Sequence, residues 1–314
     1  MKDLFVRLAF LVVMLVVIPC VITSLICEKH SDKDNYQVKI YNCKTDKIVK
    51  LDIEEYLIGV VAAEMPASFE DEALKSQAVA ARTYSLKKIN KDAAEHKGAD
   101  LCTDFAHCQA YYDEKDREKV WGNKTDSYAK KIKNSVASTK GEYLSYNDDF
   151  ASTVFHACSN GITEDSADVW GGSFPYLICV DSPGDMKNPN YITHLSVEKA
   201  EFVNKLNEAI GEDKIKHETL VIEEPKLTSG GNVRCLDVSG VEFKGTEIRK
   251  IFDLRSAAFA LKIEGEKIVF DVYGSGHGVG MSQYGAQGMA IEGESYKTIL
   301  SHYYPGTILE KMYK

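Results

Sequence analysis

Residues 8–26 (LAFLVVMLVVIPCVITSLI) run for 19 positions without a charge, and that run limits everything downstream of it. At about 1.5 Å per residue such a helix covers a hydrocarbon core of roughly 30 Å. Lys2 and Arg7 precede the run, so the positive-inside bias keeps the short tail in the cytoplasm and sends the remainder outside. The alternative is a cleaved signal peptide, yet no small-x-small cleavage site follows. Cys20 and Cys27 come after Pro19 and Ile26, where a lipidation site wants a small residue. The expectation is therefore a cytoplasmic tail and retained transmembrane anchor over 1–27, a polar linker over 28–35, and an extracytoplasmic domain over 36–314. Within that domain about 184–226 is a candidate inserted subdomain, which composition does not separate cleanly.

A net charge of −9 argues against nucleic acid as a partner, because phosphate recognition needs a surplus of Lys and Arg. It leaves an uncharged polymer such as a sugar chain open. Val38 to Tyr41 and Ile48 to Ile53 alternate enough to predict a hairpin at the domain entry. Asp52 with Glu55 gives a capping-box pattern, and Ile53, Leu57, Val60 and Val61 then share one helix face. Pro66 ends that helix just after Glu64. A second helix is predicted over about 70–90, with Ala73, Ala80 and Ala81 allowing close packing. Residues 91–125 read as loop and 129–140 as helix. EYLSY, STVFHA, YLICV, NVRCLDV and KIVFDVY read as short strands. The pattern is α+β, with helices early in the ectodomain, an antiparallel sheet after them and a substrate groove between.

Four segments could carry chemistry. In GVVAAEMP, Glu64 stands among apolar neighbours, which desolvate a carboxyl and let it hold a proton near neutral pH. That is the state a general acid needs to protonate a leaving glycosidic oxygen. On this segment alone a solvent-facing or salt-bridged glutamate is the simpler alternative. His96, Cys102, His107 and Cys108 offer the two imidazoles and two thiolates of a closed tetrahedral zinc site. His156 and Cys158 are rival ligands, and a disulfide between Cys102 and Cys108 with surface histidines is the alternative. Four protein ligands would leave no position for water, so a metal here would brace the site and not hydrolyse anything. Glycines 274, 276, 278 and 280 alternate, unlike a dinucleotide fingerprint, and no Walker lysine follows. That loop is either a tight strand-to-helix crossing or a ligand contact, with Ser275, His277, Gln283 and Tyr284 as candidate substrate-binding residues. Trp170 beside Asp168 suits a sugar face, although a lone tryptophan also suits a core.

Taken together, EEYLIGVVAAEMPASFEDEALKSQAVAARTY, CTDFAHCQAY, STVFHACSNGITEDSADVWGG and SGHGVGMSQYGAQGMA resemble the stage II sporulation protein D family. Four blocks in one order behind one membrane span make the resemblance specific, and it covers about 36–310. It implies a peptidoglycan lytic transglycosylase acting in sporulation and forespore engulfment, leaving 1,6-anhydro-N-acetylmuramic acid ends. The family's catalytic glutamate falls on Glu64, and zinc-binding members place ligands at His96, Cys102, His107 and Cys108. Other members lack the cysteines, so membership alone does not imply the metal. The implied substrate is glycan stripped of stem peptides by an amidase. The implied partners are that cell-wall amidase and a membrane partner resembling sporulation proteins P and M, at the mother-cell membrane facing the forespore. A related amidase-enhancer branch shares the signature without established catalysis. A non-catalytic, glycan-binding enhancer of an amidase is thus the alternative function.

Overall fold

The computed structural model describes residues 36–89 and 96–313. The expected span over 8–26 and the linker over 28–35 lie outside the described residues. Among the described residues no helix is long and apolar enough to cross a membrane.

The chain opens on the expected hairpin, β1 (Gln37–Asn42) antiparallel to β2 (Lys47–Asp52). Asp52 then caps α1 (Ile53–Glu64), its Oδ1 accepting from the Glu54 N–H at 2.9 Å. Ile53, Leu57, Val60 and Val61 are all fully buried, so the 3- and 4-residue spacing is the core face. Pro66 lacks an N–H and disfavours helix at the residue before it, which ends α1 at Glu64 with Met65 extended. Next comes α2 (Asp71–Lys88), the central helix, whose Ala73, Ala80 and Ala81 are fully buried. Also on α2, Arg82 is buried outright. Its Nε and Nη2 donate to the two carboxylate oxygens of Glu54 at 2.9 and 2.6 Å, and Nη1 donates to the Glu142 carbonyl. This two-pronged pair fixes α2 against α1 while satisfying a charge that could not otherwise be desolvated.

A two-residue strand, β3 (Leu101–Cys102), adds parallel to β1. The stretch predicted as loop then contains a helix, α3 (Glu114–Trp121), started by a reciprocal capping box between Asp113 and Asp116. It buries no residue fully, so it carries no apolar period for a sequence reading to detect. Through a short 3₁₀ turn it runs into α4 (Thr125–Ser138), which begins four residues ahead of the predicted start. Then come β4 (Glu142–Tyr146), β5 (Asp149–Phe150), β6 (Phe155–His156) and α5 (Ser166–Trp170). Only two residues of STVFHA are strand, and YLICV is none. The latter lies against 163–166 through single bonds, Thr163 N–H to the Val180 carbonyl and Ser166 N–H to the Leu177 carbonyl, without a ladder.

A second hydrophobic core follows. It is built by β7 (Ile192–Glu198), α6 (Lys199–Ile210), β9 (Val233–Val238), β10 (Val241–Lys244), α7 (Gly245–Ile251), β11 (Phe259–Glu264) and β12 (Lys267–Tyr273), with the exposed β8 (Lys226–Leu227) pairing on β9. Phe202, Phe252, Phe259 and Phe270 pack ring against ring at its centre, 5.1 to 6.1 Å apart. The segment about 184–226 supplies part of this core, whose other residues run on to Val272. The chain returns to the first core through β13 (Met281–Ser282), α8 (Gln283–Ile291), α9 (Tyr296–Tyr303) and β14 (Ile308–Lys311). Among the described residues the architecture is α+β, but with helices from end to end and five small sheets in place of one. Most pairings are antiparallel; β1 with β3 and β13 with β6 are parallel. Buried Glu164 ties the two cores, its Oε1 accepting from Asn232 N–H and the Thr228 hydroxyl, each at 2.9 Å.

Candidate active site and metal cluster

Glu64 ends α1 at a cavity of about 300 Å³ lined by Tyr84, Phe105, Cys108, Gln109, Val154, Phe155 and His277 as well. The chain segment that closes one wall lies directly on α1. Gly59 makes this possible: a Cβ there would stand 2.2 Å from the Tyr111 ring, which stacks on Tyr56 at 5.7 Å. Tyr112 N–H donates to the Gly59 carbonyl at 3.0 Å, and the same segment aims Ala110 N–H at Glu64 Oε1, 2.7 Å away. Upstream, Gln109 is buried, with its amide donating to Ser85 Oγ at 2.9 Å. Oε2 of Glu64 accepts no hydrogen bond from the described residues, so one oxygen is fixed and the other faces the cavity. Burial pushes the carboxyl up from 4.5 to about 7, against the opposing pull of the Ala110 N–H. At neutral pH it is therefore divided between acid and carboxylate. Among the described lining residues it is the one carboxyl.

The glycine-rich crossing supplies the facing wall. Gly274 sits at φ +72° with a Cβ position 2.5 Å from the Cys158 carbonyl oxygen, so only glycine lets this strand end lie against 157–159. β13 then pairs with β6, Met281 beside Phe155, which brings His277 to the cavity. His277 Nδ1 accepts from Val279 N–H at 3.1 Å, which leaves the ring proton on Nε2. Burial, then neighbouring His156 and Arg249, push its pKa down to about 3, so it is a neutral ring at physiological pH. Trp170 is 49% exposed and packs on His277 at 5.0 Å between centroids. The indole also lines a larger cavity of about 470 Å³ with Asp168, Arg234 and Lys244. Size favours that second cavity, but the desolvated carboxyl lies in the smaller one, and chemistry follows the carboxyl.

Four of the five expected substrate contacts do not line this cavity, Trp170 among them because it lines the larger one. Gln283 is buried against α2, its amide 3.4 Å from Gln77 Oε1. Tyr284 packs edge-on against Phe69 at 5.0 Å. Ser275 is taken up in backbone pairing with Cys158. Sequence reasoning missed Tyr84, Phe105, Gln109, Val154 and Phe155, because nothing local says which residues a loop and a short strand will bring to a cavity.

His96, Cys102, His107 and Cys108 do converge. Their ligand atoms all lie within 4.8 Å of one another. His96 Nε2 is 2.9 Å from His107 Nδ1 and 3.3 Å from Cys108 Sγ, while Cys102 Sγ is 3.5 Å and Cys108 Sγ 3.9 Å from His107 Nδ1. Around tetrahedral zinc, with bonds near 2.3 Å to sulfur and 2.0 Å to nitrogen, ligand atoms stand roughly 3.3–3.8 Å apart. The donor set and its spacing fit that ion. The rival ligands lie elsewhere: His156 Nδ1 meets the Val279 carbonyl, and Cys158 donates to the Asp185 carbonyl.

The family model described as stage II sporulation protein matches residues 41–146. Stage II sporulation protein D of Bacillus subtilis (strain 168) is 38% identical over 271 residues, covering 86% of this chain and 78% of that protein. The protein of the same name from Bacillus amyloliquefaciens is 38% identical over 271 residues, covering 86% and 77%. The amidase enhancer of Bacillus subtilis is 28% identical over 305 residues, covering 81% of this chain and 40% of that protein.

Proposed function

The chain belongs to the stage II sporulation protein D family, and from that premise we propose that it is a lytic transglycosylase of peptidoglycan glycan strands. The observation that carries this reading is Glu64: a desolvated carboxyl, half-protonated near pH 7, with one oxygen held and one open to the cavity. Hydrolytic glycosidases commonly use two carboxyls, and a single one suits a reaction whose nucleophile is already attached to the substrate. Glu64 gives its proton to the oxygen leaving C1 of N-acetylmuramic acid as that C–O bond breaks. The carboxylate so formed takes the proton of the same sugar's 6-hydroxyl while O6 bonds to C1. The ring closes as a 1,6-anhydro sugar and Glu64 is an acid again. Tethering of the nucleophile supplies what a water-activating base supplies elsewhere. Ala110 N–H keeps the carboxyl oriented through both transfers.

In this reading His96, Cys102, His107 and Cys108 hold zinc, which crosslinks a segment poor in regular structure and does no chemistry. The substrate is glycan freed of stem peptides by an amidase, and the protein works from a membrane anchor over 8–26, on the extracytoplasmic side. The match to an amidase enhancer favours a second reading, a glycan-binding module that stimulates an amidase. Mass analysis of products from purified, peptide-free glycan strands separates them. The expected new ends are anhydro sugars, lighter by one water than hydrolysed ends. Hydrolysed ends, or uncleaved strands, refute the transglycosylase.

A further inference from the structure

We infer that Phe105 is a sugar-stacking residue at the mouth of the Glu64 cavity, presented there by the turn that joins the metal-ligand residues. Phe105 is 80% exposed, the highest exposure of any large apolar side chain among the described residues, yet it lines the cavity that holds Glu64. Single exposed apolar residues are ordinary on a surface and carry no meaning by themselves. What sets this ring apart is its mounting. Asp104 Oδ1 accepts from Ala106 N–H at 2.9 Å, and the Asp104 carbonyl accepts from His107 N–H at 3.2 Å and Cys108 N–H at 2.7 Å. The turn is thus closed under the ring, and its next two residues are buried or half-buried members of the His/Cys cluster. Two residues further on, Ala110 holds Glu64.

A phenyl group has no polar handle, so the partner it suits is another apolar face. The C–H face of a pyranose is one, and the ring binds it without fixing hydroxyl identity. Trp170, half-exposed, packs on His277 but lines the other, larger cavity. Phe105 can therefore hold one sugar unit of the strand beside the bond that Glu64 meets. This rests on the glycan-cleaving reading above and adds to it how the strand is gripped.

The test compares Phe105→Ala and Phe105→Trp on peptide-free glycan strands, alongside pelleting of the same strands with Glu64→Gln and with the Glu64→Gln/Phe105→Ala double variant. The alanine should raise KM by about 3–10-fold, the range expected of one aromatic contact, with kcat nearly unchanged. Tryptophan should restore KM. Because the ring is exposed, melting temperature and metal content should stay at wild-type values. Equal strand binding by Glu64→Gln and the double variant overturns the inference, as does a loss confined to kcat that tryptophan does not rescue. If wild-type protein cleaves nothing but strand binding still depends on Phe105, the reaction assignment falls and this inference stands.

Discussion

Replacing Glu64 by Gln should do two opposite things at once. Gln keeps the shape and can still accept from Ala110 N–H, but it cannot deliver a proton. Loss of the general acid should cut glycan cleavage by roughly 10²–10⁴-fold. Stability should move the other way. In the folded protein Glu64 ionises at about 7 instead of 4.5. Between those values the unfolded chain gives up a proton that the folded chain keeps, so stability falls as pH rises through that window and the loss is complete above it. At 1.36 kcal/mol per pH unit the displacement corresponds to at most about 3 kcal/mol, less whatever water at the open oxygen restores. At pH 8 the variant should therefore melt above the wild type, by up to about 6–12 °C at 2–4 °C per kcal/mol. At pH 4.5 the two should coincide. The wild-type cleavage rate should fall roughly tenfold from pH 6 to pH 8 as the acid form is depleted. Thermal melts at both pH values, with product release measured across that range, provide the check. Identical melting at pH 8, or a flat rate between pH 6 and 8, refutes the reasoning from desolvation.

Cys102→Ser and Cys108→Ser should each lower bound zinc and melting temperature together, with cleavage falling as the segment around Ala110 loosens; elemental analysis of protein purified without added metal reads this, and full stability without metal contradicts it. The mature protein should keep its N-terminus and sediment with membranes, and a soluble chain beginning near residue 28 contradicts the anchor.

Some elements that bury a face were announced by the sequence, but α6 and α9, which bury Phe202 and Leu206 and Ile299 and Leu300, were not predicted. Strands β1 and β12 show their period because alternate residues meet a core, whereas α1 and α2 are buried on nearly every side. The apolar neighbours of Glu64 pointed to desolvation, but the segment alone favoured a solvent-facing or salt-bridged glutamate, and the resemblance singled it out. The His/Cys quartet was legible because its residue types have few other uses together, and its convergence depends on β3 pairing with β1, which no local pattern encodes. Helix α3 was hidden because it buries nothing fully, and YLICV misled because an apolar run is equally suited to packing without a ladder. Gln283 illustrates a different limit. A polar residue beside a glycine-rich loop suggests a ligand contact, yet its amide is spent on Gln77 across the chain. Nor could composition separate the second core, because both cores are made of the same residue types.

Strands β7 and β12 lie side by side at the point where the chain leaves the first core and comes back. Ile192 faces Tyr273, and Gly274 N–H donates to the Tyr191 carbonyl at 2.8 Å. To the first core, then, everything between those residues has the dimensions of a tight turn. Closing a long loop costs chain entropy that grows with the logarithm of its length, and that cost is met inside the second unit by its own sheet. The helices around α2 can assemble with the C-terminal pair α8 and α9 as though they were near neighbours in sequence. The order in which the two units condense is thereby left free, and the polymer distance between Glu64 and His277 is much shorter than their numbering suggests.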